Sequence, residues 1–187
     1  FSIKIMMGIY DVKKSFFNSY EIVVITNCAD SKVFYPRANK LELRKQYGIV
    51  SGSIIIVFSA NNFNDINKGV KYVLDVAEKI KNPKVLFVGF GGGLKVVARE
   101  NVKLLGKIND ANKISEILGL SDIFIFPSFV ETSPLAVLEA MSCGLPIIGF
   151  EMPALKEIIN EKIGILTKFC SFNELQKAVN YIINDDY

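Results

Sequence analysis

The chain has 187 residues, half of them hydrophobic, which bounds it at about one domain with a sizeable core. A net charge of +3 with no long basic run argues against nucleic acid as a partner, and apolar runs such as Ser53 to Phe58 are far shorter than the roughly 18 residues a membrane span needs. With no histidine, Ser-His-Asp and Cys-His catalysis and His-ligated zinc are excluded, and the three scattered cysteines, Cys28, Cys143 and Cys170, make no metal or redox motif and fit a reducing compartment.

Strand and helix patterns alternate along the chain. Glu21 to Thr26 is β-rich; Leu41 to Tyr47 is helical and stops at Gly48. Ser53 to Ser59 is a continuous apolar strand. Gly69 to Ile80 has helical spacing, with Val70, Val73, Leu74, Ala77 and Ile80 on one face. Lys84 to Val88 and Val102 to Leu105 are strands ending in glycine, and Asp110 caps a helix through Leu118. Asp122 to Phe126 is another strand. Pro134 to Cys143 is a helix with Ser133 as cap, Pro134 at its first position and Gly144 as stop. Leu145 to Phe150, Ala154 to Ile159, Gly164 to Thr167 and Phe172 to Ile183 repeat the theme. Strands without polar alternation imply a sheet covered on both faces, and strand-helix alternation implies parallel strands. The expected fold is therefore α/β, a doubly wound, mainly parallel Rossmann-like sheet with its ligand at the carboxyl ends of the strands.

Those strand ends carry the candidate site. Past Phe58 a polar loop runs from Ser59 to Gly69, with Lys68 at the expected start of the next helix. A cation there opposes the helix dipole, so it is either a plain exposed lysine or half of a phosphate site with nearby helix amides. Past Val88, the run Gly89-Phe90-Gly91-Gly92-Gly93 fits a dinucleotide fingerprint poorly and reads equally as a flexible turn near a ligand. Past Phe126 comes Glu131 and then the helix from Pro134, whose free amides at Leu135 and Ala136 suit a phosphate. Glu139, one turn on, shares a face with Leu135, Ala136 and Ser142. It is either one edge of a cleft or part of a narrow solvent stripe. Two carboxylates beside a helix start, with Lys68 near, fit a nucleotide-sugar, each charge-assisted hydrogen bond contributing roughly 1.5–3 kcal/mol. There is no Asp-x-Asp pair to hold a divalent metal on a diphosphate; Asp185-Asp186 reads as solvated.

These residues resemble the C-terminal, donor-binding domain of retaining glycosyltransferases of family 4, with the two-domain GT-B fold. Ile25 to Asp30 followed by Phe34-Tyr35-Pro36 resembles the family's opening motif, Lys68-Gly69 its "KG" helix start, Val88-Gly89-Phe90-Gly91 its "VG.G" turn and Leu105-Gly106-Lys107-Ile108 its "LG.V" segment. Pro127-Ser128 to Pro146 resembles "PS..E.....LEAM..G.P", with Glu131 and Glu139 at the family's E-x7-E spacing, the most specific of these features.

The resemblance implies roles. Glu131 contacts the donor sugar near the reacting carbon, and Glu139 binds the ribose. Amides at Thr132, Ser133, Leu135 and Ala136 hold sugar and phosphate. Lys68 neutralises the leaving diphosphate, with Glu131 and Lys68 the catalytic pair. Lys107 and Ile108 lie beside the base. Asn61 and Asn62 stand close to where the family commonly has an arginine, donating hydrogen bonds without charge. Thr132 replaces the usual glycine after the first glutamate, and Cys28-Ala29 the usual Gly-Val.

No metal and no cofactor are expected. The expected partners are a nucleotide-sugar donor and a sugar or lipid-linked acceptor held by an N-terminal domain this chain lacks. Residues 1–187 are read as one donor-binding domain with 1–20 an interdomain segment; the opening Phe1 implies an upstream part, and the fragment alone is expected not to turn over. The implied setting is cell-envelope or polysaccharide synthesis in the cytoplasm, with peripheral contact at the inner membrane face as a variant. The alternatives are a nucleotide-sugar epimerase, a glycoside phosphorylase, or a non-catalytic nucleotide-binding module.

Overall fold

A computed structural model describes residues 3–5, 22–24, 26–93, 99–131 and 133–184. Six strands form one parallel sheet: β3 (Ile54–Asn62), β4 (Val85–Gly92), β5 (Val102–Leu104), β6 (Ile123–Phe126), β7 (Ile147–Phe150) and β8 (Gly164–Thr167). Their order across the sheet is β5-β4-β3-β6-β7-β8. The chain first builds outward from β3 in one direction, then returns and builds outward from β6 in the other. This is the doubly wound order with its reversal between β3 and β6. A short strand β1 (Ile3–Ile5) pairs in parallel with β2 (Ile22–Val24) in a separate two-stranded sheet, so the β-rich run at 21–26 does not extend the main sheet.

Both faces of the sheet are covered, and the two-residue period of the strands sorts their side chains between two cores. Ile55, Val57, Phe124 and Phe126 point to one face, where they pack with Leu43 of helix α1 (Lys40–Gln46), Ile117 and Leu118 of α3 (Ala111–Leu120) and Val137 and Ala140 of α4 (Leu135–Ser142). Ile56, Phe58, Ile123 and Ile125 point to the other, against α2 (Val70–Lys79) and α6 (Phe172–Asn184). On α6 the buried positions Leu175, Ala178, Val179 and Ile182 repeat at helical spacing and face the sheet. Helix α5 (Pro153–Lys156) is a single turn, shorter than the expected 154–159 segment, and buries Leu155.

One polar cluster ties the layers at the amino end of the switch point. Asp122, just before β6, accepts from Lys40 Nζ at 2.8 Å, Arg44 Nη2 at 2.5 Å and the Ile55 amide at 2.8 Å. It fixes α1 and the start of β3 against β6, and leaves the carboxyl ends of these strands to diverge.

The glycine run after Val88 is not a loop. It continues β4, with Ala60 opposite Gly91 and Asn62 opposite Gly92. A Cβ on Gly91 would lie 1.8 Å from the carbonyl oxygen of Ala60, so only glycine admits this approach of backbones. Among the described residues no helix is long and apolar enough to cross a membrane.

Candidate functional site

A cavity of about 380 Å³ opens at the carboxyl ends of β3 and β6, where the winding of the sheet reverses. Its size falls within the range of small-molecule sites. Glu131 and Glu139 both line it, with Lys68, Asn61, Gly91, Lys107, Ile108, Ser133, Leu135 and Ala136. Residues 63 positions apart thus meet because parallel strands deliver all their following loops to one edge. Thr132 lies outside the described residues. Asn62 is not among the lining residues; its Oδ1 accepts from the Asn64 amide at 3.0 Å and braces the turn after β3.

Lys68 stands just before Gly69, the N-cap of α2, as the sequence led us to expect. It ends a 3₁₀ turn, Ile66–Lys68, that Asp65 caps by accepting from the Asn67 amide. Gly69 follows with φ +60, and a Cβ there would lie 2.0 Å from the Pro127 carbonyl oxygen. The lysine's partner in this geometry is Glu131: Nζ and Oε1 are 2.6 Å apart, with 26% and 18% of the two side chains exposed. Ser128 donates from Oγ to the same carboxylate oxygen at 2.9 Å, with the Asn67 carbonyl oxygen a second acceptor at 3.1 Å. The Phe129 amide donates to Asn67 O at 2.7 Å and fastens the two loops together. Sequence pattern missed Ser128 as a positioning residue, although its place three residues before Glu131 was the available signal.

Helix α4 begins differently from its expected form. Pro134 occupies the cap position, Ser133 precedes it, and no side chain caps the helix. The first turn's backbone bonds are those from Val137 and Leu138 to Pro134 O, which leaves the Leu135 and Ala136 amides without a partner among the described residues. They lie at the positive end of the helix beside the cavity, where the dipole favours negative charge. Glu139, one turn further in, is half-buried, and burial raises its carboxyl above the usual range. No side chain among the described residues pairs with it. Its carboxylate is therefore a partly desolvated acceptor without a side-chain partner among the described residues.

Gly91 contributes shape rather than an amide, since its N–H donates to Gly106 O at 2.8 Å. Lys107 is exposed and Ile108 half-buried on the loop after β5, forming the far wall with Phe90 and Ile114. Phe90, Ile114 and Phe126 were not singled out by sequence, because nothing local marks a core-type residue as one that also faces a crevice; Asn109, exposed on the same wall, sits in no motif. The walls thus combine two cations, two carboxylates, open helix amides and an apolar side.

The sequence profile of the family described as Glycosyl transferases group 1 matches residues 39–186. Among curated proteins, the chain is 31% identical to N-acetyl-alpha-D-glucosaminyl L-malate synthase of Bacillus anthracis over 74% of this chain and 38% of that protein. It is 29% identical to UDP-Gal:alpha-D-GlcNAc-diphosphoundecaprenol alpha-1,3-galactosyltransferase of Escherichia coli over 92% of this chain and 47% of that protein. The chain thus spans less than half the length of either relative. Among solved structures, sucrose-phosphate synthase from Thermosynechococcus elongatus superposes with a TM-score of 0.82 at 20% identity, covering 98% of this chain and 49% of that one. Anabaena HepE in complex with UDP and glucose superposes with a TM-score of 0.73 at 21% identity, covering 88% and 48%. These likenesses establish the fold as the C-terminal half of the GT-B architecture. The matched span takes in the whole six-stranded sheet, the Lys68 turn and both glutamates, and the chain belongs to the glycosyl transferases group 1 family.

Proposed function

We propose that this chain is the donor-binding half of a retaining glycosyltransferase and that the cavity between β3 and β6 takes a nucleotide-diphosphate sugar. One observation carries the reading: Glu131, Glu139, Lys68 and the uncapped start of α4 line a single cavity at the sheet's switch point. In this reading Glu139 receives the ribose hydroxyls, Leu135 and Ala136 offer amides to the diphosphate, and Ile108 flanks the base. Glu131 faces the sugar hydroxyls near the reacting carbon. Lys68 meets the negative charge that grows on the departing diphosphate, the main electrostatic demand of the step. The bond from the anomeric carbon to the phosphate oxygen breaks with its electrons leaving on the diphosphate. The acceptor oxygen bonds that carbon on the same face, and its proton passes to the departing oxygen. Two lysines and the helix amides supply positive charge, so the reaction is proposed to run without a metal ion.

The acceptor, a sugar or a lipid-linked sugar, is proposed to sit on an N-terminal domain outside this chain. The reading places the protein in the cytoplasm, in cell-envelope or polysaccharide synthesis. The E. coli relative, whose name specifies a lipid-linked diphosphate acceptor, supports that setting.

Calorimetric titration of the chain with UDP, GDP and ADP tests the site. One nucleotide is expected to bind, and Glu139→Ala and Lys68→Ala are each expected to weaken it about tenfold or more, the size of one lost charged hydrogen bond. Unchanged binding in both variants rules out the site. A non-catalytic nucleotide-binding role gains support from one feature, Asn61 at the cavity wall close to where the family carries an arginine. That role predicts nucleotide binding without glycosyl transfer by the full-length protein.

A further inference from the structure

The 2.6 Å contact between Lys68 and Glu131 has the wrong partners for a bound donor. In the reading above, Lys68 serves the diphosphate and Glu131 the sugar, yet here each neutralises the other. The contact is built in rather than incidental. Ser128 holds the carboxylate oxygen from behind at 2.9 Å. The Phe129-to-Asn67 backbone bond staples the two loops, and Gly69 lets the lysine turn lie directly against Pro127. Neither side chain is as much as a third exposed, so neither recovers its full hydration by swinging outward.

We propose that the Lys68–Glu131 ion pair acts as an internal competitor that lets the site distinguish the intact donor from the nucleotide left after transfer. A nucleoside diphosphate that draws on Lys68 shares out the one charge that balances Glu131, leaving a half-buried carboxylate held chiefly by Ser128. A nucleotide-sugar claims Lys68 with its phosphates and repays Glu131 with sugar hydroxyls. Once the sugar has gone, Glu131 recaptures Lys68 and the diphosphate loses its grip. The pair thus lowers the affinity for product more than that for substrate, and favours release. Glu139 and Lys107, the other charged groups on the cavity wall, appear in neither the hydrogen bonds nor the ion pairs of this contact.

The inference rests on the proposed function, and a double-mutant cycle separates the two. UDP, GDP and ADP are titrated into the chain, into Glu131→Gln, into Lys68→Met, and into the double variant. Glutamine keeps the shape and still accepts from Ser128, so the fold is retained. The Glu131→Gln variant is expected to bind the preferred nucleotide about tenfold more tightly than the unaltered chain, with no such gain in the Lys68→Met background. Equal or weaker binding by Glu131→Gln overturns the inference while leaving the site assignment intact. A gain that persists without Lys68 also overturns it, since that is plain repulsion between Glu131 and an anion. Failure of all three nucleotides to bind the chain and the Glu131→Gln variant defeats both readings.

Discussion

At the scale of single residues, Glu139 carries a cost in stability. Its carboxyl is raised by burial, so the folded chain holds that proton more tightly than the unfolded chain does. Stability linked to it is therefore greatest below the ordinary carboxyl value of 4.5 and falls as pH rises through the elevated folded value. Glu139→Gln removes the cost of a buried charge. The variant is expected to melt at a higher temperature than the parent chain at pH 7, with the difference closing near pH 4, by circular dichroism. A difference that stays constant with pH would deny Glu139 this role. The same substitution should weaken nucleotide binding. That both glutamates and Lys68 gather at one cavity was legible in the sequence, because an acid in an apolar helix and a cation beside a strand end each need a reason. Their mutual arrangement was not. Sequence left Lys68 as either an exposed lysine or half of a phosphate site, and did not foresee its contact with Glu131, 63 residues away, made by tertiary closure alone.

Among the elements, strands and amphipathic helices were legible because their periods differ and their ends carry strong signals. Asp110 caps α3 as expected, accepting from the Asn112 amide at 2.9 Å, and Gly48 ends α1 with φ +66. What failed was the reading of glycine. The run from Gly89 read equally as a turn, yet Gly89 to Gly92 extend β4, and at Gly91 the neighbouring strand comes too close for any side chain. Gly91→Ala is accordingly expected to cost about 2 kcal/mol or more in urea unfolding, from the clash with the Ala60 carbonyl. A loss under half that would mean β3 and β4 shift apart freely. The cap of α4 was misread for a related reason. A serine before proline looked like a standard N-cap, but the proline itself takes the cap position, and the Leu135 and Ala136 amides have no partner among the described residues.

For the molecule as a whole, strand-helix alternation predicted a parallel sheet but not the order of its strands, which depends on where each crossover lands. The order β5-β4-β3-β6-β7-β8 is what sets the position of the cavity. Catalysis belongs to the longer protein in this reading. The full-length parent is expected to transfer glycosyl with the donor's anomeric configuration preserved, read from the anomeric proton coupling of the product, and to do so in EDTA. The 187-residue chain alone should give none. Inverted product would remove the same-face mechanism. The register between β3 and β6 carries one more implication. Only Ile56 with Ile123 and Val57 with Phe124 are paired, and past them β3 runs on beside β4 alone. The sheet is thus torn along one seam, and the rent is propped open by main-chain geometry. The exposed polar residues that face it, such as Asn61 and Lys107, bear little of the load that keeps the domain folded, whereas Phe90 and Phe126 on the same wall belong to the core. In the proposed function, those exposed positions can change to suit another base or sugar at small thermodynamic risk.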